Sequence, residues 1–153
     1  AFDAGMAPGN RWYSRSHYLR ALDDEAIDTL LAHAGALPGE FTTVYLGAEG
    51  GAAGRVRGDA TAFPHRNAAF FLHAFAGWTD PADDTDVMRW TRGVHRAMAP
   101  HATGGVYVNM LAEDEGDRVG AAYGGNYDRL LEVKRRWDPD NFFSANHNIR
   151  PRG

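Results

Sequence analysis

Apolar positions recur at two different periods along this chain, and the switches between them predict its elements. Over Leu22–Leu37, Ile27, Leu30, Leu31 and Ala34 return at three- and four-residue spacing. Asp23 or Asp24 stands at the N-cap position, Glu25 follows in the first turn, and Pro38-Gly39 stops the run, so a helix is expected. Phe41–Leu46 carries Thr42, Thr43, Val44 and Tyr45 and reads as a strand. The following GAEGGAAGRVRGDATAFPHR, with Gly47, Gly50, Gly51 and Gly54, is too rich in glycine for a tightly packed regular element. Ala68–Trp78, AAFFLHAFAGW, is a nearly continuous apolar run of strand length and predicts a central strand.

Beyond an acidic stretch from Asp80 to Asp86, Val87, Trp90, Val94 and Met98 fall at helical spacing, and Pro100 ends that helix. Thr103-Gly104-Gly105 leads into a predicted short strand, Val106–Met110, and Glu113–Ala122 reads as a polar helical link. The last helix places Tyr127, Leu130, Leu131, Val133 and Trp137 among Asp128 and Glu132 at its start and Lys134, Arg135 and Arg136 at its end, the order the helix dipole favours. Asn126 can cap it, and Asp138-Pro139 terminates it. The order of elements favours an α+β fold, an antiparallel sheet covered by helices on one face. The tail after Pro139 crowds Asp140, Asn141, Asn146, His147 and Asn148 around Phe142 and Phe143, a composition that must dock on something.

Composition narrows the function classes. At 153 residues and 44% hydrophobic content, one ordinary domain is expected. The net charge is −4 and the 16 basic residues are scattered, so nucleic acid and anionic membranes are not indicated as partners. No apolar run approaches the roughly 20 residues of a membrane-spanning helix, so a soluble chain is expected. Its compartment stays open, the cytoplasm being slightly favoured. The seven histidines show no metal-ligand spacing, and no metal is expected. Ala1–Asn10 has no periodicity and reads as a lead-in from something upstream.

The densest information lies between Tyr123 and Pro151. A Tyr-Gly-x-Asn turn is followed by Arg-Leu, Val-Lys, Asp-Pro-x-Asn-x-Phe and Asn-x-Asn-Ile-x-Pro. This segment resembles the C-terminal part of berberine-bridge-enzyme-like flavoproteins, within the vanillyl-alcohol-oxidase type of FAD-linked oxidoreductases. The resemblance implies that residues 1–110 are a portion of the substrate-binding domain, with Arg11–Arg20 as its strand-like entry. Residues 111–153 then pack toward an FAD-binding domain or subunit outside this chain. FAD is the implied cofactor, held mainly by that other domain, and the chain alone should be inactive. The absence of cysteine excludes a cysteinyl flavin link from it.

The same resemblance distributes roles. His65 in Phe-Pro-His-Arg, Asn109, Tyr123, Asn126, Asn146 and Asn148 become cofactor contacts, because amides donate to and accept from a flavin's pyrimidine edge and ribityl chain. Tyr45, Phe71, His73 and Met110 become substrate-pocket residues, the substrate being a small alcohol, sugar or phenolic. In the family, the strand matching VYVNM ends on a tyrosine base, and Met110 stands there; a glutamate of plant members falls on Phe71 or Leu72. With both bases missing, Tyr107 is the first choice of proton acceptor, with His73, Tyr45 and His65 as substitutes. Two other classes fit the composition. One is a free-standing binding module in which Phe70, Phe71, Phe75 and Trp78 line an apolar pocket; the other is an interaction domain.

Overall fold

In the computed structural model, which describes residues 9–39 and 41–151, Phe70–Trp78 (β3) is the middle of a three-stranded antiparallel sheet. Its neighbours are β1, Arg11–Leu19, and β2, Thr43–Ala48. The first eight residues of the expected lead-in lie outside the described residues. Strand pleating sends Leu72, Ala74, Ala76 and Trp78 to one face and Phe71, His73 and Phe75 to the other. The two alanines, both essentially unexposed, let a helix lie close on the first face. That helix is α3, Asp84–Met98, whose buried row is Val87, Thr91, Val94 and Met98. Leu19, Leu72, Ala74, Val94 and Met98 form the main core, joined by Ala26 of α1, Asp24–Ala34. Helices thus cover one face, as the pattern predicts.

Three local expectations need correction. Helix α1 is capped as predicted, Asp23 Oδ1 accepting from the Ala26 amide at 2.9 Å, but it ends at Ala34 rather than Leu37. It is also rotated: Ala26 and Leu30 pack inward while Leu31 is 64% exposed, because the small Ala26 permits the closest approach to α3. Strand β2 starts at Thr43, since its pairing runs from Thr43 opposite Phe75 to Ala48 opposite Phe70. The stretch Val106–Met110 is not a strand. After Leu19 bridges to Ala102 and the Thr103 amide donates to Tyr18, Gly104 at φ 85° turns the chain off the edge of β1. With no ladder to join, Val108–Met110 closes into a single 3-10 turn, and Val106 is buried in a second cluster with Leu111, Val119 and Ala122.

The glycine-rich stretch begins with the last two residues of β2, Gly47 and Ala48, and then holds a four-residue helix, α2, Gly51–Gly54. The link before the last helix is a 3-10 segment, Glu113–Arg118, followed by α4, Val119–Tyr123. Helix α5, Tyr127–Trp137, ends at Asp138 as predicted. Asn126 does not cap it; its amide donates instead to the carbonyls of Gly58, at 2.7 Å, and Thr61, at 3.0 Å, clasping that loop. Lys134 pairs with Asp138, whose carboxylate also accepts the Phe142 and Phe143 amides at 2.7 and 3.1 Å. His147 donates to the Leu111 carbonyl and Arg135 to that of Pro151, so the tail folds back on its own chain. Phe142 and Phe143 nevertheless stay 83% and 76% exposed. Among the described residues no helix is long and apolar enough to cross a membrane.

A polar cluster is set among β1, α3 and Glu113–Arg118. Arg15 reaches Asp114 at 2.7 Å and Glu115 at 3.3 Å, and Glu115 takes Arg118 at 2.5 Å. Arg118 donates to His95 Nε2 at 3.2 Å, and the His95 ring stacks on His17 with centroids 3.9 Å apart. His17 Nε2 donates to the His95 carbonyl at 2.8 Å. Burial pushes the imidazole of His95 down to about 3, helped by His17 and Arg118, and lowers that of His17 as well.

Candidate functional site

The sheet face turned away from the helices is aromatic. Phe71, His73 and Phe75 of β3 lie between Trp12, Ser14, Ser16 and Tyr18 of β1 and Thr43, Tyr45 and Gly47 of β2. Trp12 stacks on Phe75 at 4.8 Å, His73 follows at 5.4 Å from Phe75, and Phe71 at 5.9 Å from His73. Tyr18 tilts against Phe71 at 5.3 Å, and Tyr107 meets Phe71 edge-on at 6.3 Å. Met110 packs at the same end. The pocket residues predicted from sequence, Tyr45, Phe71, His73 and Met110, are therefore gathered on or beside one floor together with Tyr107.

Two glycines let the rings lie flat. The Trp12 ring occupies the space a Cβ on Gly77 would need, and a Cβ on Gly47 would sit 2.8 Å from the Tyr45 hydroxyl. Replacing Gly77 by Ala must displace Trp12 from Phe75. Overpacking of this kind costs about 1–3 kcal/mol. The urea midpoint of Gly77→Ala should fall accordingly, and an unchanged midpoint would show that Trp12 has room to move.

The floor carries unsatisfied polar atoms. Ser16 stands opposite His73 in the strand register, and both Ser16 Oγ and His73 Nε2 are buried without a hydrogen-bond partner among the described residues. Burial lowers the His73 pKa, so the ring is neutral near pH 7. Tyr107 is already engaged, its hydroxyl accepting from Asn109 Nδ2 at 2.9 Å.

Beside Tyr107 opens a cleft of ≈1570 Å³ between the 3-10 turn, α4, α5 and the tail. Asn109, Tyr123, Asn146 and Asn148 line it, with Arg135 and Arg150. Asn148 Oδ1 is buried there with no partner among the described residues. The cleft thus joins four of the six residues predicted to contact a cofactor. The other two lie elsewhere. Asn126 holds the 58–61 loop, and His65 donates to the Ala122 carbonyl at 3.0 Å, stacks on Tyr18 at 4.6 Å and borders a separate cavity with Arg20 and Gly105. Sequence reasoning missed Trp12, Ser16, Arg135 and Arg150. The alternation Trp12, Ser14, Ser16, Tyr18 carries a strand-face signal for the first two.

A family model described as berberine and berberine like matches residues 106–150, the stretch that holds every residue lining this cleft. The uncharacterized FAD-linked oxidoreductase YgaK of Bacillus subtilis is 34% identical over 150 residues, covering 96% of this chain and 32% of that protein. The aclacinomycin-N/aclacinomycin-A oxidase of Streptomyces galilaeus is 31% identical, covering 99% of this chain and 31% of the oxidase. The fold superposes on berberine bridge enzyme from Eschscholzia californica with a TM-score of 0.83 at 22% identity, over 93% of this chain and 33% of the enzyme. Over nearly its whole length this chain matches one region of the berberine-bridge-enzyme-like FAD-linked oxidoreductases. It spans about a third of the length of the relatives it matches. The berberine-like segment contributes Asn109, Tyr123, Asn146 and Asn148 to the cleft, while the aromatic floor lies almost wholly upstream of that segment.

Proposed function

We propose that this chain is the substrate-side portion of an FAD-dependent oxidoreductase acting on a small organic alcohol, sugar or phenolic, and that an FAD-binding domain or subunit completes the site. Residues 1–110 carry the floor on which the substrate lies, and residues 111–153 face the flavin. The observation that carries this reading is the hydrogen bond between Asn109 and Tyr107, which joins the amide-lined cleft to the end of the aromatic floor. Cofactor and substrate sides are thereby adjacent within one chain.

The donor set suits a flavin. Asn148 Oδ1 is an acceptor in need of a donor, and Asn109, Asn146 and Tyr123 offer the mixed donors and acceptors that a pyrimidine edge or ribityl chain pairs with. A bound flavin supplies the two-electron acceptor that no protein side chain provides. The chain's own residues supply the rest: Trp12, Phe75 and Phe71 offer ring faces for stacking, and Tyr107 orients the substrate where floor and cleft meet. That one relative is an oxidase named for aclacinomycin supports a small organic substrate.

The test compares the protein purified from its source with this chain alone, by intact mass and visible absorption. A yellow protein or complex containing this chain is expected, with the isolated chain colourless and Asn148→Leu weakening flavin retention about tenfold or more. A colourless source protein whose thermal midpoint FAD leaves unchanged would overturn the reading in favour of a binding module.

A further inference from the structure

The two halves of the 3-10 segment Glu113–Arg118 are attached to the rest of the chain in unlike ways. The first half is tied through Asp114, whose carboxylate accepts from Arg15 at 2.7 Å, from Arg92 at 2.9 Å and from the Tyr13 hydroxyl at 2.9 Å. The second half reaches α3 through one side-chain hydrogen bond among the described residues, Arg118 Nη1 on His95 Nε2 at 3.2 Å. Between the halves, Glu115 breaks the helical backbone at φ −112°, ψ 23°. Gly116 and Asp117 of the second half line the large cleft, so the contact between Arg118 and His95 holds a piece of the cleft wall against α3.

That contact requires a neutral imidazole. Nε2 accepts from a guanidinium only while it carries a lone pair, which places the His95 proton on Nδ1. A second proton would turn the acceptor into a donor and set two cations 3.2 Å apart. The groups facing His95 offer it no compensation. His17 stacks on it from β1, and Arg15 of the same strand and Arg118 both add positive charge. The carboxylates of the segment, Asp114 and Glu115, are already engaged by Arg15, Arg92 and Arg118.

We propose that Arg118 and His95 form an acid-operated latch on the wall of the cleft: a proton on His95 expels Arg118, and residues 116–118 swing outward about Glu115 while Asp114 keeps the first half in place. The cleft then opens from that side as the pH falls, exposing the flavin if the proposed function is right; the inference rests on that reading for the identity of the ligand alone. Burial, then His17 and Arg118, hold the closed imidazole down to about 3, and release of the wall returns it toward its ordinary value of 6.5. The open form thus binds more protons than the closed one. Each pH unit below about 6.5 should make it about tenfold more frequent. Asp114 stays ionised throughout that window, because Arg15, Arg92 and Tyr13 hold its carboxyl below the ordinary range.

Hydrogen exchange of the whole flavoprotein, followed by mass spectrometry at pH 7.5, 6.5 and 5.5 and divided by the intrinsic chemical rate, tests the latch. Amides of residues 116–118 should gain about tenfold between pH 6.5 and 5.5, while those of the β1–β3 ladder and the Glu115 amide stay protected. His95→Gln, whose side-chain oxygen accepts from Arg118 at either pH, should abolish the gain. Arg118→Ala, which removes the contact outright, should show the open rate already at pH 7.5. Exchange at 116–118 that ignores pH, or a gain that survives His95→Gln, overturns the latch. Iodide quenching of flavin fluorescence reads the cleft separately: it should rise from pH 7.5 to 5.5 in wild type and stay level in His95→Gln. Quenching indifferent to pH in a protein whose 116–118 amides do open overturns the place of the flavin in this cleft and leaves the latch standing.

Discussion

Glu115→Ala should lower the thermal midpoint by roughly 10 °C. Glu115 is 4% exposed, and its carboxylate serves Arg15 at 3.3 Å, Arg118 at 2.5 Å and the Ala112 amide at 3.2 Å. Arg15 is itself 7% exposed. Truncating Glu115 therefore leaves a buried guanidinium with only the half-exposed Asp114 as counter-ion. Removing one partner of a buried pair costs about 3–5 kcal/mol, and each kcal/mol is worth about 2–4 °C in a chain of this size. Glu115→Gln, which keeps the shape and one acceptor, should fall between. Calorimetry of the three proteins decides it, and equal midpoints for Glu115→Ala and wild type would mean that water replaces the carboxylate.

The second large effect is acid destabilisation beginning well above the carboxylate range. His95 and His17 both have folded pKa values below the unfolded value, His95 down to about 3. Groups lowered on folding bind more protons when unfolded. Their contribution is complete above about pH 6.5 and is lost as pH falls from there toward the folded value. One such histidine gives a slope of about 1.4 kcal/mol per pH unit in that window, and a second adds to it. The cause is visible in the contacts. A proton on His95 Nε2 would face the Arg118 guanidinium, and one on His17 Nδ1 would be buried without an acceptor. Below about pH 4, Asp114 adds to the loss. Burial works against its ionised form, but hydrogen bonds from Arg15, Arg92 and Tyr13 hold its carboxyl below the ordinary value. Denaturant unfolding from pH 7.5 to 4.5 should show the slope, and His95→Gln should flatten it; a pH-independent stability over that range would refute the assignment.

Much of the fold is legible because period and punctuation agree. AAFFLHAFAGW reads as a central strand, and the spacing of Val87, Val94 and Met98 fixes α3 and its buried face. VYVNM misleads because alternation records only which residues favour a pleated surface; whether an edge is available depends on the positive-φ turn at Gly104 just before it, which aims the chain away from β1. Leu31 misleads for a related reason, since several rows of α1 are apolar and α3 selects the one containing the small Ala26. In the site, the asparagines at 146 and 148 are found through motif resemblance, while Ser16 is not, because its place opposite His73 is a matter of cross-strand register. Asn126 sits in a motif and at a helix start, yet the backbone it serves lies 65 residues away in sequence.

Strand β3 separates two kinds of constraint by residue parity. Leu72, Ala74 and Ala76 answer to helix packing, where a methyl group more or less is felt throughout the core. Phe71, His73 and Phe75 answer to the aromatic layer instead: Phe71 is buried against Tyr18 and Ala68, and Phe75 stacks on Trp12. A change at an even position is thus felt by α3 and a change at an odd position by the rings, so one strand answers to two separate packing partners, one on each side of the sheet.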